Sequence, residues 1–310
     1  MDIVTHGLAG MLMGAAGRDF HRRRFFWLGC ALAPDLDMLA GLGGPVAYYS
    51  YHRRILHGLP GALLLILLLA WLYSRISKRA FWEGALLAGT AVSGHLALDV
   101  ATSFGTSLFY PFSSRSFHLD LVFGFDLWLA GGLLFFLAAG FLRPRFRRKA
   151  AGTGLVLAAG YLVFCLFCRH RAEGLLRAEI ETGGRPPGRI AALPQPPSPA
   201  VWAGFIRTPE GTWAGRISLL SRTPPRLRFH PNPPFPQLRK RAEQTRTVRR
   251  FLSIARFPHV QAEVDSDRVT FLYTDLRFSL SGWERSNRYI GTKVVVSREG
   301  RILSEGRAVE

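Results

Sequence analysis

The first half of the chain alternates between long apolar stretches and short polar or basic ones. Six stretches are predominantly apolar: 3–17, 25–44, 55–73, 80–101, 126–142 and 150–168. The stretch 55–73 has no Lys, Arg, Asp or Glu, and about 20 such residues in a helix cross the roughly 30 Å hydrocarbon core of a bilayer. The pattern therefore predicts a polytopic α-helical membrane domain of about six spans over residues 1–168.

The pattern changes after residue 168. Residues 169–200 are rich in proline towards their end, which favours a semi-extended connector. Beyond it, β-branched and aromatic residues follow strand-like spacing, a hairpin is indicated, and one basic helix is indicated. These elements are predicted at Val201–Thr208, Thr212–Leu220, Val269–Leu280, Lys293–Ser297 with Arg301–Ser304, and Gln237–Arg256. We expect a small α+β soluble domain over 201–310, which carries no catalytic signature.

The charge distribution predicts an orientation. The chain has 40 Lys and Arg against 21 Asp and Glu, and much of the basic charge of the first half lies in three loops between predicted spans. These are Arg18 with Arg22–Arg24, Arg75 with Lys78 and Arg79, and Arg143 through Lys149. The positive-inside rule places them in the cytoplasm. The loops 44–54 and 102–125 and the C-terminal domain are then expected outside, and the basic charge needs no nucleic-acid partner.

Ionisable residues lie in or beside the apolar stretches. They are His6, Asp35, Asp37, His52, Arg53, His57, His95, Asp99 and Asp126. A charge at the bilayer centre costs roughly 2.5–3.5 kcal/mol, so such residues are expected to face a protein interior and to be paired or metal-bound. In the predicted orientation they reach a similar depth near the external face, which indicates one shared site.

The residue types favour a hydrolytic metal. His95 and Asp99 are four residues apart and share one helix face, where they can hold a divalent cation. Asp35 and Asp37 would point to opposite sides of a straight helix, and Pro34 is expected to break that helix so that both can face the site. Imidazoles and carboxylates with almost no thiolate suit zinc, or alternatively manganese.

The chemistry that follows is hydrolysis by metal-activated water. An aspartate that does not bind the metal could act as general base, and the guanidinium of Arg53 could hold the developing negative charge. The residues leave open which of Asp35 and Asp37 binds the metal. We assign Asp37 to the metal and Asp35, with His52, Arg53 and Asp126, to the catalytic candidates.

Four motifs carry a family resemblance. Thr5-His6-Gly-Leu-Ala-Gly, Ala33-Pro-Asp-Leu-Asp37, His52-Arg53-x-x-x-His57-Gly and His95-Leu-Ala-Leu-Asp99-Val-Ala-Thr-Ser-Phe-Gly-Thr resemble the bacterial membrane-bound, metal-dependent hydrolase family. That family is also described as LexA-binding, inner-membrane-associated hydrolases, and the likeness continues through Tyr110-Pro-Phe-Ser113 and Phe125-Asp126.

The resemblance implies a multi-pass protein of the bacterial inner membrane that is a metal-dependent hydrolase. The His-x-x-x-Asp motif is also similar to that of zinc-dependent phospholipase C enzymes. By that analogy the metal ligands are His6, one of Asp35 and Asp37, His57, His95 and Asp99. Membrane lipids are the expected partners, and a lipid-borne phosphoester is the expected substrate class.

Two other functions fit the same residues. In a metal-ion or proton transporter the His and Asp residues would form a transit site, although predicted spans 3, 5 and 6 are almost wholly apolar towards the cytoplasmic side. In a membrane-anchored scaffold the basic residues 169–310, with 25 Lys and Arg against 13 Asp and Glu, would bind anionic lipid.

Overall fold

The computed structural model describes residues 1–43, 51–196, 199–280 and 291–308. These residues divide into two compact units. The first comprises Met1–Arg169 with Pro196–Pro199, and the second His170–Gln195 with Ala200–Glu310. Most of the predicted external loop 44–54 lies outside the described residues.

The first unit is helical. Its helices are α1 (Ile3–Ala16), α2 (Phe20–Leu32), α3 (Leu59–Ser77), α4 (Phe81–Ala101), α5 (Leu127–Leu142) and the start of α6 (Arg147–Glu181), and a 3-10 helix, Ala33–Gly43, continues α2. Among the described residues, four segments are long and apolar enough to cross a membrane: Phe20–Leu42, Leu59–Ser77, Phe81–Ala101 and Pro144–Glu181. Two of the six predicted spans correspond to shorter apolar helices, Ile3–Ala16 and Leu127–Leu142.

Close helix contacts in this unit depend on small residues. A Cβ atom on Gly10 of α1 would lie 2.3 Å from the Cβ of Ala31 on α2, and one on Gly14 would lie 2.7 Å from the Trp27 ring. Helices in lipid associate by such close packing, because lipid tails are as apolar as the side chains. Many large side chains point outward. For example, Leu64 of α3 is 68% exposed and Phe135 of α5 is 65% exposed.

The second unit contains two four-stranded antiparallel sheets. One has the order β1-β2-β3-β4 and the other β5-β6-β7-β8. The strands are β1 (Arg189–Pro194), β2 (Val201–Arg207), β3 (Gly211–Ser218), β4 (Arg226–Pro231), β5 (Pro258–Val264), β6 (Arg268–Asp275), β7 (Thr292–Ser297) and β8 (Ile302–Arg307). The described residues of this unit also form three short helices, α7 (Pro236–Ala242), α8 (Arg246–Leu252) and α9 (Leu276–Ser279). Buried aromatic residues, including Phe205 stacked on Phe257 at 4.0 Å, form its core.

The structure corrects three sequence-based expectations in this unit. Where a connector is predicted over 169–200, α6 continues to Glu181 and β1 occupies Arg189–Pro194. The prolines begin only at Pro186, after the helix has ended. The proline content of the whole segment therefore did not reveal the end of α6 or strand β1. Gln237–Arg256 is two short helices with a break at residues 243–245, and α9 ends the predicted strand Val269–Leu280. The predicted hairpin is confirmed as β7 and β8.

Candidate metal centre

Four separate stretches of the first unit contribute to one cluster of ionisable side chains. His6 lies on α1, Asp35 and Asp37 on the 3-10 helix, His52 to His57 on the turn before α3, and His95 with Asp99 on the last turns of α4. His6, Asp35, His57, His95 and Asp99 are buried. We call this cluster the centre.

The 3-10 helix explains how both aspartates reach the centre. With 3.0 residues per turn, side chains two positions apart point about 120° from each other, against about 160° in an α-helix. Asp35 and Asp37 are therefore less opposed than on an α-helix, and both contact His57, with Asp35 Oδ1 3.6 Å from Nε2 and Asp37 Oδ2 2.9 Å from Nδ1. The expected break of helical geometry near Pro34 is thus present, as a change of helix type.

Four ligand atoms lie close together around His57 and His95. His57 Nε2 is 3.1 Å from His95 Nε2 and 3.1 Å from Asp99 Oδ2. Asp35 Oδ1 is 3.6 Å from both imidazole nitrogens, and His95 Nε2 is 3.6 Å from Asp99 Oδ2. Zinc bound at about 2.0–2.1 Å would separate tetrahedral ligand atoms by about 3.3–3.4 Å. The residues therefore fit a divalent metal.

The hydrogen bonds of the two imidazoles leave lone pairs facing each other. His95 Nδ1 lies 2.7 Å from the carbonyl oxygen of Ala31, which only accepts, so Nδ1 donates. His57 Nδ1 donates to the Asp37 carboxylate. In the neutral form of each ring Nε2 then carries a lone pair, and two lone pairs 3.1 Å apart repel unless a cation or a proton lies between them. Metal-binding histidines are oriented by this kind of outer hydrogen bond.

Asp37 orients its neighbours. Its carboxylate accepts from His52 Nδ1 at 2.7 Å, from His57 Nδ1 at 2.9 Å and from the backbone N–H of Arg53 at 3.1 Å. Asp35 and Asp37 both belong to groups that could hold an ion, Asp35 with His57 and His95, and both together with His52. From these contacts we expect Asp35 to be the ligand and Asp37 to position His57, where the sequence-based assignment has Asp37 on the metal.

His6 and Asp99 complete the centre. His6 Nε2 is 3.3 Å from Asp99 Oδ1, and the His6 and His95 rings stack at 3.6 Å. His6, His95 and Asp99 form a further group that could hold an ion. Among the described residues, the buried atoms His6 Nδ1 and Asp99 Oδ2 have no hydrogen-bond partner, which is expected of Asp99 Oδ2 if that atom binds a cation.

Two positive groups already pair with Asp99 Oδ1. The N-terminal amino group of Met1 forms a buried ion pair with it, and Arg53 Nη2 lies 2.9 Å away. Arg53 Nη1 also donates to Thr102 Oγ1 at 3.1 Å. The guanidinium is therefore held against a carboxylate of the centre, where it balances negative charge, and sequence reasoning missed the Met1 contact because nothing local in the sequence signals it.

Asp126 lies at the start of α5 and caps that helix. Its carboxylate caps α5 by accepting from the backbone N–H groups of Trp128 at 3.1 Å and Leu129 at 3.0 Å, and it accepts from the Tyr161 hydroxyl at 3.0 Å. It belongs to none of the three possible ion-binding groups found in the described residues. An aspartate just before an apolar run is also the usual signal of a helix start, and that reading predicts its position.

Comparison with known families gives one match. A family described as the YdjM inner membrane protein matches residues 1–172. The chain belongs to the YdjM family. The match contains every residue of the centre, and it ends within α6, before the first strand. No curated protein matches the chain, and no solved structure matches it.

Membership of the YdjM family places the protein among bacterial inner-membrane proteins. This agrees with the four helices that are long and apolar enough to cross a membrane. Family and structure together therefore give a membrane protein with buried His and Asp groups that could bind a metal ion.

Proposed function

We propose that the protein is a metal-dependent hydrolase that cleaves a phosphoester or similar bond in a lipid-associated substrate. The observation that carries the proposal is the convergence of Asp35 and Asp99 on His57 and His95. Each carboxylate lies 3.1–3.6 Å from both Nε2 atoms, which are 3.1 Å apart. His6 adjoins this set through Asp99. The donor set suits zinc, with manganese as the alternative.

A divalent metal held by these residues would supply Lewis acidity, which activates water and polarises a phosphoryl oxygen. The chain's own residues prepare the site for it. Asp37 and the Ala31 carbonyl fix the imidazoles of His57 and His95 so that both Nε2 atoms point inward. Arg53 reduces the net negative charge at Asp99.

His52 is our candidate for proton transfer. Its side chain is 11% exposed, against 0% for His57 and His95, so it lies on the more accessible side of the centre. Asp37 accepts from its Nδ1 at 2.7 Å and thereby fixes the ring. A carboxylate that orients an imidazole in this way is a common arrangement for general acid–base catalysis.

The proposed topology has six spans, with α1 and α5 as the two shorter ones. The three basic loops then face the cytoplasm, the centre lies towards the external side, and the second unit is periplasmic. At that depth a lipid headgroup could reach the centre while its acyl chains stay in the bilayer. The proposed partners are therefore membrane lipids, and the proposal includes no nucleic acid.

The test is hydrolysis by detergent-solubilised full-length protein. Phospholipids and generic phosphoesters are offered with and without a chelator, and the His57→Ala variant is compared with His21→Ala, which changes an exposed histidine. We expect product release that the chelator and His57→Ala abolish and His21→Ala leaves unchanged. Ion flux into liposomes without any hydrolysis would favour a transporter instead.

A further inference from the structure

The segment between α4 and α5 has an amino-acid composition typical of protein segments that contact a membrane surface. Residues 103–125 contain seven aromatic residues in 23, about 30%, against 12% for the whole chain. Lysine and glutamate do not occur in it, and its charged residues are Arg115 and Asp120. Asp120 Oδ2 lies 3.1 Å from His118 Nδ1, so that carboxylate has a local partner. We call this segment the aromatic loop.

Backbone hydrogen bonds fix the aromatic loop on the helices around it. Leu59 N, at the start of α3, donates to the Leu108 carbonyl at 2.7 Å, and Ser107 N donates to the Arg53 carbonyl at 3.0 Å. Thr106 and Phe117 pair as an isolated antiparallel bridge. Much of the polar backbone is therefore satisfied within the protein, as a segment in contact with acyl chains requires.

Large apolar side chains of the aromatic loop nonetheless point away from the protein. Phe112 is 85% exposed, and Phe104, Phe109, Leu119 and Phe125 are 42–49% exposed. A patch of this kind is unfavourable in water and marks an interaction surface.

The patch continues the exposed apolar surface of the neighbouring helices. Leu59 and Leu63 of α3 are 49% and 57% exposed, and Leu127 at the start of α5 is 68% exposed. The hydrogen bond from Leu59 to Leu108 joins the loop to the first of these. The surface next to the loop belongs to an apolar helix of a membrane protein, so the exposed side chains of the loop extend a surface suited to lipid.

We propose that the aromatic loop is inserted into the interfacial layer of the bilayer, with Phe109 and Phe112 among the acyl chains. Aromatic and leucine side chains on one face of a segment are the usual means of binding at this depth. The guanidinium of Arg53 lies over the Phe104 ring at 5.3 Å, so the inserted surface adjoins the centre. The inference does not depend on hydrolysis.

Spin labels test the insertion directly. A nitroxide is attached at Phe112→Cys in the full chain, reconstituted in liposomes, and its collision with oxygen, which partitions into lipid, is compared with that of a water-soluble nickel chelate. Leu64→Cys on α3, 68% exposed, is the lipid reference, and Leu220→Cys in the second unit, 83% exposed, is the aqueous one. The unsubstituted chain gives the background from the native cysteines.

We expect the oxygen-to-nickel ratio at Phe112 to lie nearer the ratio at Leu64 than the ratio at Leu220. A ratio nearer that of Leu220 would overturn the proposal. Phe109→Cys, 48% exposed, is the second position if the first variant does not fold. Catalytic activity is not measured, so the result is separate from that for the hydrolase.

Discussion

The two units of this protein differ in how much ionisable surface they bury. In the second unit, buried Phe205, Phe271 and Tyr273 form apolar cores, and ion pairs such as Arg268–Asp265 lie at the surface. In the first unit, many leucines and phenylalanines point outward although others form a core, and His57, His95 and Asp99 are buried together. Buried charge is costly unless it is paired or binds a metal. Asp275 in the second unit is buried beside Arg277, whereas the first unit buries several His and Asp side chains together, which makes that cluster the candidate site.

We expect the largest difference in the free energy of unfolding when one ion pair is broken in each unit. Asp99→Asn leaves Arg53 and the Met1 amino group without their buried carboxylate, and we expect the free energy of unfolding to fall by about 3–5 kcal/mol. Asp265→Asn removes an ion pair whose side chains are 52% and 59% exposed, and we expect no measurable change. Denaturant titration of the full chain in detergent measures both, and equal effects would contradict the contrast.

Substitution of the two aspartates of the 3-10 helix distinguishes a residue that binds the metal from one that positions a ligand. Asp37→Asn keeps the shape of the side chain but weakens the orientation of His57, and we expect metal affinity to fall about 10–100-fold. Asp35→Asn removes a charged ligand, and we expect a larger loss. Competition titration with a chromophoric zinc chelator measures both affinities, and the opposite order would restore Asp37 as the ligand.

Asp126 tests whether every buried carboxylate of the first unit belongs to the centre. Asp126→Ala removes the cap of α5 and the partner of Tyr161, and we expect a loss of stability of about 1–2 kcal/mol. Metal content should stay unchanged, and Tyr161→Phe should show a smaller loss of stability. A loss of bound metal in a folded Asp126→Ala variant would return Asp126 to the site.

The smallest expected effect is a pH dependence of stability that arises from His259 in the second unit. Burial, together with the neighbouring His230, lowers the pKa of His259 to about 4. An unfolded histidine titrates near 6.5, so the unfolded state binds more protons between these values. Stability is therefore complete above about pH 6.5 and falls towards pH 4, by about 1 kcal/mol after allowance for partial solvent screening.

Hydrogen exchange of β4 and β5, corrected for the intrinsic rate, measures this dependence. His259→Gln should remove most of it, and His170→Gln, at a side chain 61% exposed, should not. A slope that His259→Gln leaves unchanged would assign the dependence to other groups.

Sequence patterns predicted which residues lie together in the centre, but they did not predict the contacts of each one. His6, His57, His95 and Asp99 are recognisable because ionisable side chains are rare in apolar helices. The roles of Asp35 and Asp37 depend on a 3-10 geometry that spacing alone does not specify, and Arg53 is held by Asp99, 46 positions away in the sequence. Asp126 illustrates a different limit, because one local pattern indicates both a ligand and a helix cap.

The metal content of the purified protein tests the central claim most directly. Full-length chain, loaded with zinc and dialysed, is analysed by elemental mass spectrometry beside His95→Ala and His21→Ala. We expect about one equivalent of tightly bound metal in the unsubstituted chain and in His21→Ala, and almost none in His95→Ala. Equal metal in the unsubstituted chain and His95→Ala would show that these imidazoles and carboxylates do not form a metal site.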